Sequence, residues 1–151
     1  MTGPGQTLSL RCQFCLTWNT VHGARAAQKP KCGKCAKPIL LDRPWPLYDD
    51  TFTRTVNESV VPVLVDFYAD WCGPCKIMAP AVDKLAAQYF GRALVAKLDT
   101  DRAPKTAGSF DIRGIPTSIV FHGGKEIARQ SGALPYEALE AMLKQVMAPM
   151  A

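Results

Sequence analysis

The sequence of 151 residues lacks the features of an exported or membrane-spanning chain. Its start, MTGPGQTLSL, has no cationic stretch followed by an apolar one. No segment approaches the roughly 18 apolar residues that a membrane-spanning helix needs. We therefore expect a cytoplasmic protein without a membrane partner. In that reducing compartment, paired cysteines are more often metal ligands or redox groups than structural disulfides.

Acidic residues are nearly absent from the first part of the chain. Residues 1–42 contain six of the eighteen Lys and Arg residues and a single acid, Asp42. The remaining residues hold equal numbers of basic and acidic groups, so the net charge of +5 belongs to the first segment. A zinc ion held by four thiolates would add a local charge of about −2. We therefore do not expect nucleic acid as a partner, although Phe14 and Trp18 have rings that can stack on bases. We expect these two rings to cover a small core instead.

Cysteine is also scarce, and all six cysteines fall in three Cys-x-x-Cys steps. Cys12 and Cys15 are followed after sixteen residues by Cys32 and Cys35, which is a spacing typical of a zinc site. Four thiolates on two tight turns predict one structural zinc ion in a closed tetrahedral site. The alternatives are four free thiols or two local disulfides, and His22 is expected to be a solvated loop residue rather than a ligand. Residues 1–42 are thus predicted to form a zinc-ribbon module whose folding depends on the metal.

Residues 43–151 follow a proline-marked boundary and alternate between strand and helix patterns. The apolar run VVPVLVDFY (60–68) is typical of a strand buried on both faces. The segment 73–90 has helical spacing, with Pro80 expected to kink the helix. Its apolar positions are Ile77, Val82, Leu85, Ala86 and Tyr89. Later patterns predict a strand at 93–98, a short helix at 102–110, a hairpin of 117–121 and 125–130, and a helix at 135–147.

This order of elements, a βαβ unit followed by a ββα unit, predicts an α/β fold with a mixed central sheet flanked by helices. Any first strand must come from ILLDRPWPLYD, where two prolines confine it to a short edge strand.

The third pair, Cys72 and Cys75, has only His122 left as a further metal ligand, so a four-ligand site cannot be completed there. The pair lies where the buried strand ends and the long helix begins. Free backbone N–H groups and the helix dipole at that position stabilise a thiolate at Cys72, and the thiolate is the nucleophile of disulfide exchange. Cys75 lies one turn further on the same face and can close a disulfide. We therefore predict redox chemistry rather than metal binding.

WCGPCK (71–76) after VDFYAD, then IRGIPT (112–117) and SGAL (131–134), resemble the thioredoxin family over about residues 43–151. With the predicted zinc module in front, the chain is similar to the family's zinc-containing bacterial branch. The resemblance implies a thioredoxin fold and a general protein-disulfide reductase without an organic cofactor. It also implies two kinds of partner, disulfide-containing substrate proteins and an NADPH-dependent thioredoxin reductase.

The resemblance implies a role for each matching residue. Asp66 is the buried carboxylate that exchanges protons with Cys75, and burial would raise its pKa. Lys97 is its neighbour, and Gly73 and Pro74 separate the redox cysteines. The residues implied to shape the substrate-docking surface are Trp71, Ile115, Pro116 as a cis-proline, Thr117 and Gly132. Tyr68 departs from the tryptophan that is common at its position.

Two other functions stay open on the residues alone. One is a disulfide donor or isomerase of the same fold, against which the Gly-Pro spacer without a histidine argues. The other is a zinc-ribbon adaptor that binds nucleic acid or protein and carries a redox-controlled domain.

Overall fold

The computed structural model describes residues 6–147, so the outer ends of the two predicted domains lie outside the described residues. The strands are β1 (Thr7–Arg11), β2 (Trp18–His22), β3 (Trp45–Leu47), β4 (Val63–Tyr68), β5 (Leu94–Asp99), β6 (Thr117–His122) and β7 (Lys125–Ser131). The α-helices are α1 (Phe52–Glu58), α2 (Gly73–Tyr89), α3 (Pro104–Ser109) and α4 (Tyr136–Met147), and a 3-10 helix spans Gly23–Gln28. Within residues 6–147, no helix is both long enough and apolar enough to cross a membrane.

The central sheet is mixed, as the sequence predicts. Its strand order is β3-β5-β4-β6-β7, with β3, β5 and β4 parallel and β6 and β7 antiparallel. β4 lies in the middle and is buried from Val63 to Phe67, which explains its continuous apolar run. β3 is the short edge strand expected from its prolines. The carboxyl end of β4 therefore leads into the start of α2, where the redox cysteines lie.

The buried face of α2 differs from the predicted one at Ile77. That side chain is 78% exposed, whereas Met78 is buried at 1% exposure. Val82 and Leu85 lie four and seven residues after Met78, so the three side chains share one helix face. Ile77 lies one residue, about 100°, away from that face and points to solvent. The prediction for Ile77 was wrong, and Met78 takes the core position.

Residues 6–42 pack closely against the later part of the chain. Leu8, Leu10 and Val21 lie in one buried cluster with Phe52 and Val56 of α1, which we call the shared core. The backbone joins the two parts as well, since the Val60 N–H donates to the Thr7 carbonyl oxygen over 2.8 Å. The Ser9 N–H donates to the Ser59 hydroxyl over 3.1 Å. One continuous core thus spans the predicted boundary near residue 42.

The aromatic residues of the N-terminal segment do not both cover its core, contrary to expectation. Phe14 is 62% exposed on the first cysteine turn, and the Lys37 ammonium lies 5.0 Å from its ring centroid. Trp18 is half-buried under the guanidinium of Arg54, at 4.3 Å. The expectation was wrong for Phe14, because the alternating apolar residues of β1 already fill this core from the side of α1.

Candidate active site and metal site

Cys72 and Cys75 lie at the junction between the central strand and the longest helix. Cys72 is the N-cap of α2 and has an extended backbone, with φ −84° and ψ 113°. The Cys75 N–H donates to the Cys72 sulfur over 3.2 Å. A thiolate at Cys72 therefore receives a backbone hydrogen bond and faces the positive end of the helix dipole. Both features favour the thiolate over the thiol.

The two cysteines are joined as a disulfide, with their Cα atoms 5.3 Å apart. Each residue is only 4% exposed. Gly73 and Pro74 lie between them on the surface. Pro74 stands in the first turn of α2, where a missing N–H costs the helix nothing. The helix start thus carries both cysteines, with a proline that suits the first turn.

The surface around Cys72 is formed by residues distant in sequence. Trp71 is 70% exposed, and its indole N–H donates to a carboxylate oxygen of Asp101 over 2.8 Å. The Ile115–Pro116 peptide bond is cis, and the Ile115 carbonyl oxygen lies 3.7 Å from the Cys72 sulfur. Asp101 was not singled out from the sequence, because an acid two residues beyond a strand gives no signal of its partner.

The cis bond is held in a compact turn. The Thr117 hydroxyl donates to the Gly114 carbonyl oxygen over 2.5 Å, and the Gly132 N–H donates to the Pro116 carbonyl oxygen over 2.8 Å. Gly132 has a φ of 93°, a conformation that residues with a Cβ rarely adopt. The structure therefore brings the predicted docking residues together beside Cys72, while their role toward substrate stays a prediction.

Asp66 lies behind the cysteines and is 5% exposed. With Cys75 and Lys97 it lines a cavity of about 210 Å³. Burial raises the pKa of the Asp66 carboxyl to about 7; Lys97 partly opposes the rise, and Asp83 adds to it. A carboxyl with that pKa exchanges protons near neutral pH. Asp83 was missed as a part of this cavity because it reads as a solvated residue of the helix.

Lys97 occupies the position beside Asp66 that the resemblance implies. The two residues are cross-strand partners in β5 and β4. Lys97 is half-buried, with its ammonium 5.9 Å from the centroid of the Tyr68 ring. Its charge thus favours the ionised form of Asp66 from one side of the cavity.

The other four cysteines come together on two turns. Their sulfur atoms all lie within 4.8 Å of one another, and the pairs Cys12–Cys35 and Cys15–Cys32 are 3.6 Å apart. Four sulfurs bound tetrahedrally to zinc at about 2.3 Å would be separated by about 3.8 Å. The geometry and the soft sulfur donors therefore fit a zinc ion. His22, which is exposed, is not part of this cluster.

Backbone and side-chain groups surround the cluster. The N–H groups of Phe14 and Lys34 donate to the sulfurs of Cys12 and Cys32 over 3.4 Å each. The Asn19 side chain donates to the Cys32 sulfur over 3.5 Å and accepts from the Gly33 N–H over 2.9 Å. Asn19 thus ties the turn of one cysteine pair to the strand that follows the other. Sequence reasoning missed it because asparagine after a turn is common for many reasons.

The Cys72–Cys75 site supports the exchange of a dithiol for a disulfide. The fold of the chain and this site together define a thiol–disulfide oxidoreductase. The family model described as Thioredoxin matches residues 43–145. The chain belongs to the thioredoxin family.

Individual relatives agree with this assignment. The chloroplastic M-type thioredoxin of Chlamydomonas reinhardtii is 43% identical over 118 residues, which cover 76% of this chain and 84% of the relative. Thioredoxin C-3 of Corynebacterium nephridii is 37% identical over 134 residues, with 89% of this chain and 92% of the relative covered. Among solved structures, a mutant thioredoxin from Halobacterium salinarum NRC-1 has a TM-score of 0.59 at 34% identity, covering 70% of this chain and 91% of that one.

Proposed function

We propose that this chain is a general protein-disulfide reductase of the cytoplasm, of the zinc-containing bacterial type known as thioredoxin 2. The observation that carries the proposal is the position of the Cys72 sulfur, which caps α2 and accepts the Cys75 N–H. The four-cysteine cluster supports the zinc-containing type, since its sulfur atoms all lie within 4.8 Å of one another and fit a zinc ion.

The reaction begins when the reduced protein meets a substrate disulfide. The Cys72 thiolate attacks one sulfur, so that a mixed disulfide forms and the other substrate sulfur leaves as a thiolate. Cys75 then loses its proton and attacks the Cys72 sulfur. This step releases the second substrate thiolate and leaves the Cys72–Cys75 disulfide seen in the structure. An NADPH-dependent thioredoxin reductase is the proposed source of the two electrons that restore the dithiol.

Asp66 takes the proton from Cys75 during the second step. It lines the cavity that also reaches Cys75, and its pKa of about 7 lets it hold the proton and then release it at neutral pH. Lys97 keeps the carboxyl partly ionised so that it can accept a proton. Gly73 and Pro74 hold the spacing of the cysteines at the start of the helix.

The substrate is proposed to dock around the cis-proline. Trp71 offers an exposed ring, and Ile115, Pro116, Thr117 and Gly132 offer the turn beside Cys72. An extended substrate segment lying against this turn would place its disulfide at the Cys72 sulfur. Shape and backbone contacts of this kind suit a reductase that accepts many proteins.

The proposed zinc ion is held by Cys12, Cys15, Cys32 and Cys35. It would cross-link the two cysteine turns, within a proposed zinc-ribbon module of residues 1–42 in front of a thioredoxin domain of residues 43–151. No step of disulfide exchange passes through it.

The test is reduction of insulin disulfides by the full chain with NADPH and a thioredoxin reductase. The wild-type protein should be active, and a variant with both Cys72→Ser and Cys75→Ser should be inactive. A matched control changes the half-buried cysteines of the other cluster, Cys15→Ser with Cys35→Ser, and should retain activity. Activity that survives the first pair of changes would overturn the proposal.

An adaptor function is the second candidate, and the exposed Phe14 is the observation that favours it. The ring is exposed, and the Lys37 ammonium lies over one of its faces. Binding to single-stranded nucleic acid that weakens steeply with salt and is lost in Phe14→Ala would establish this function.

A further inference from the structure

A row of polar side chains crosses the central sheet at Asp66. Its cross-strand partner in β5 is Lys97, and its partner in β6 is Ser118. The preceding pair on this face, Leu64 with Val120, is apolar and packs against α2 and α4. Ser118 therefore stands out as a hydroxyl inside an apolar layer, directly beside the carboxyl that exchanges the proton.

Two atoms of this row have no hydrogen-bond partner among residues 6–147. They are Oδ1 of Asp66 and Oγ of Ser118, and both are buried. Ser118 as a whole is 0% exposed. Buried polar atoms without partners are costly, so a pair of neighbouring ones requires an explanation.

The strand pairing places these atoms within reach of each other. Directly opposed residues of an antiparallel pair have Cβ atoms about 4.5–5.5 Å apart and point to the same face. A serine hydroxyl turns about the Cα–Cβ bond and can donate its proton, whereas an ionised carboxylate can only accept. The register of β4 and β6 thus permits a direct hydrogen bond from Ser118 to Asp66.

We propose that Ser118 is a positioning residue for the proton carrier, and that its hydroxyl donates to Oδ1 of Asp66 when the carboxyl is ionised. The inference rests on the proposed role of Asp66. The bond stabilises the charged form and fixes the orientation of the carboxyl toward Cys75 at the moment when it must accept a proton.

Charged residues face Asp66 from β5 and α2, whereas its neighbour on β6 is the neutral Ser118. β5 contributes Lys97, which favours ionisation, and α2 contributes Asp83, which opposes it. The cavity is also lined by Tyr68, Asp70, Cys75 and Lys76. The stretch of β6 from Thr117 to Phe121 contains no charged residue. β6 therefore offers Asp66 a neutral hydrogen-bond donor on the side away from Lys97.

The test is a titration of the Asp66 carboxyl by carbon-13 NMR in the oxidised full-length protein. Ser118→Ala removes the donor and should raise the pKa of Asp66 by about one unit, since hydrogen bonds to charged groups are strong. Ser118→Thr keeps a hydroxyl and should preserve the wild-type pKa. Thr55→Val is the matched control, because Thr55 Oγ1 is also buried without a partner but lies in α1, on the other face of the sheet.

Single-turnover reduction of a disulfide substrate gives the second readout. If the pKa moves up by one unit from about 7, the ionised fraction of Asp66 at neutral pH falls about fivefold, and the resolving rate should fall with it. The loss should shrink as the pH rises above the new pKa. In an Asp66→Asn background, Ser118→Ala should have no further effect on the pH profile.

An unchanged Asp66 pKa in a folded Ser118→Ala protein would overturn the proposal. So would an equal rise of that pKa in Thr55→Val, which would show a general effect of core changes. A pH–rate profile that Asp66→Asn leaves unaltered would overturn the role of Asp66 itself, and the NMR titration would still decide whether the hydrogen bond exists.

Discussion

This chain contains two kinds of Cys-x-x-Cys step, and they differ in what surrounds the sulfur atoms. Cys72 caps a helix of 17 residues and has one cysteine partner. Cys12 lies on a tight turn and has three other cysteine sulfurs within 4.8 Å. The same spacing thus supports redox exchange in one context and forms a cluster that fits a metal ion in the other. The helix and the number of neighbouring sulfurs decide the chemistry.

The largest effect on activity is expected at the redox pair itself. Cys72→Ser is expected to abolish turnover, because the capping sulfur is the one that the Cys75 N–H and the helix dipole stabilise as a thiolate. Cys75→Ser should instead trap a mixed disulfide with substrate, which mass spectrometry of the intact protein detects. Alkylation of Cys75 before Cys72 at neutral pH would reverse the assignment of the nucleophile.

A large effect on stability is expected at Asp66. Its folded-state pKa of about 7 lies above the ordinary value of 3.8, so the folded chain binds more protons than the unfolded chain between these values. The contribution of Asp66 to the free energy of unfolding should therefore be greatest at low pH and should decrease as the pH rises toward about 7. Asp66→Asn removes this loss, and at about pH 8 it should be more stable than wild type by on the order of 3–4 kcal/mol.

Urea unfolding at several pH values measures this difference, which should vanish below about pH 4. The same variant should resolve mixed disulfides about a hundredfold more slowly near neutral pH, at the lower end of the roughly 10²–10⁴-fold range of general acid–base catalysis. A protein that becomes more stable and less active in this way places Asp66 in the chemistry. A loss of both would indicate a structural role.

Much of the fold could be predicted from patterns that depend on one element at a time. The apolar run of β4 and the hairpin of β6 and β7 lie where the sequence places them. The cis bond at Pro116 followed from resemblance alone, since X-Pro bonds are cis in only about 5% of cases. Ile77 was placed on the wrong face because both Ile77 and Met78 are apolar, and the neighbours that decide between them belong to other elements.

The same limit applies to the site. Cys72, Cys75 and the four other cysteines could be singled out from spacing, because each Cys-x-x-Cys pair is local in sequence. Asp101 and Ser118 could not, since their partners Trp71 and Asp66 lie 30 and 52 residues away and only the tertiary structure brings them together. The shared core was missed for this reason as well, since Leu8 and Leu10 lie more than 40 residues before Phe52 and Val56 of the helix that covers them.

Removal of zinc tests whether the redox site works without the four-cysteine site. We expect a chelator to unfold the cysteine turns and to leave the initial rate of insulin reduction within about twofold, because the redox pair lies on elements of residues 43–151. The melting temperature should nevertheless fall by on the order of 10 °C or more, since Leu8, Leu10 and Val21 would leave the shared core. Calorimetry and zinc release measured with a chromophoric chelator test this together. Activity that declines in step with zinc would place the folding boundary elsewhere than residue 42.

The smallest effect is expected at the ion pair that joins the two parts at the surface. Arg11 donates to both carboxylate oxygens of Asp50 over 2.8 and 3.3 Å, but Asp50 is 65% exposed. Exposed pairs contribute about 0–1 kcal/mol, because water and salt screen the charges and the long side chain loses freedom. Arg11→Met keeps most of the apolar stem and should lower the free energy of unfolding by less than about 1 kcal/mol, with the difference reduced at high salt.

Leu10→Ala, one position earlier in the same strand, should cost about 2–4 kcal/mol, since Leu10 is fully buried. Equal losses for the two variants in urea unfolding would show that charge rather than the shared core holds the N-terminal segment in place.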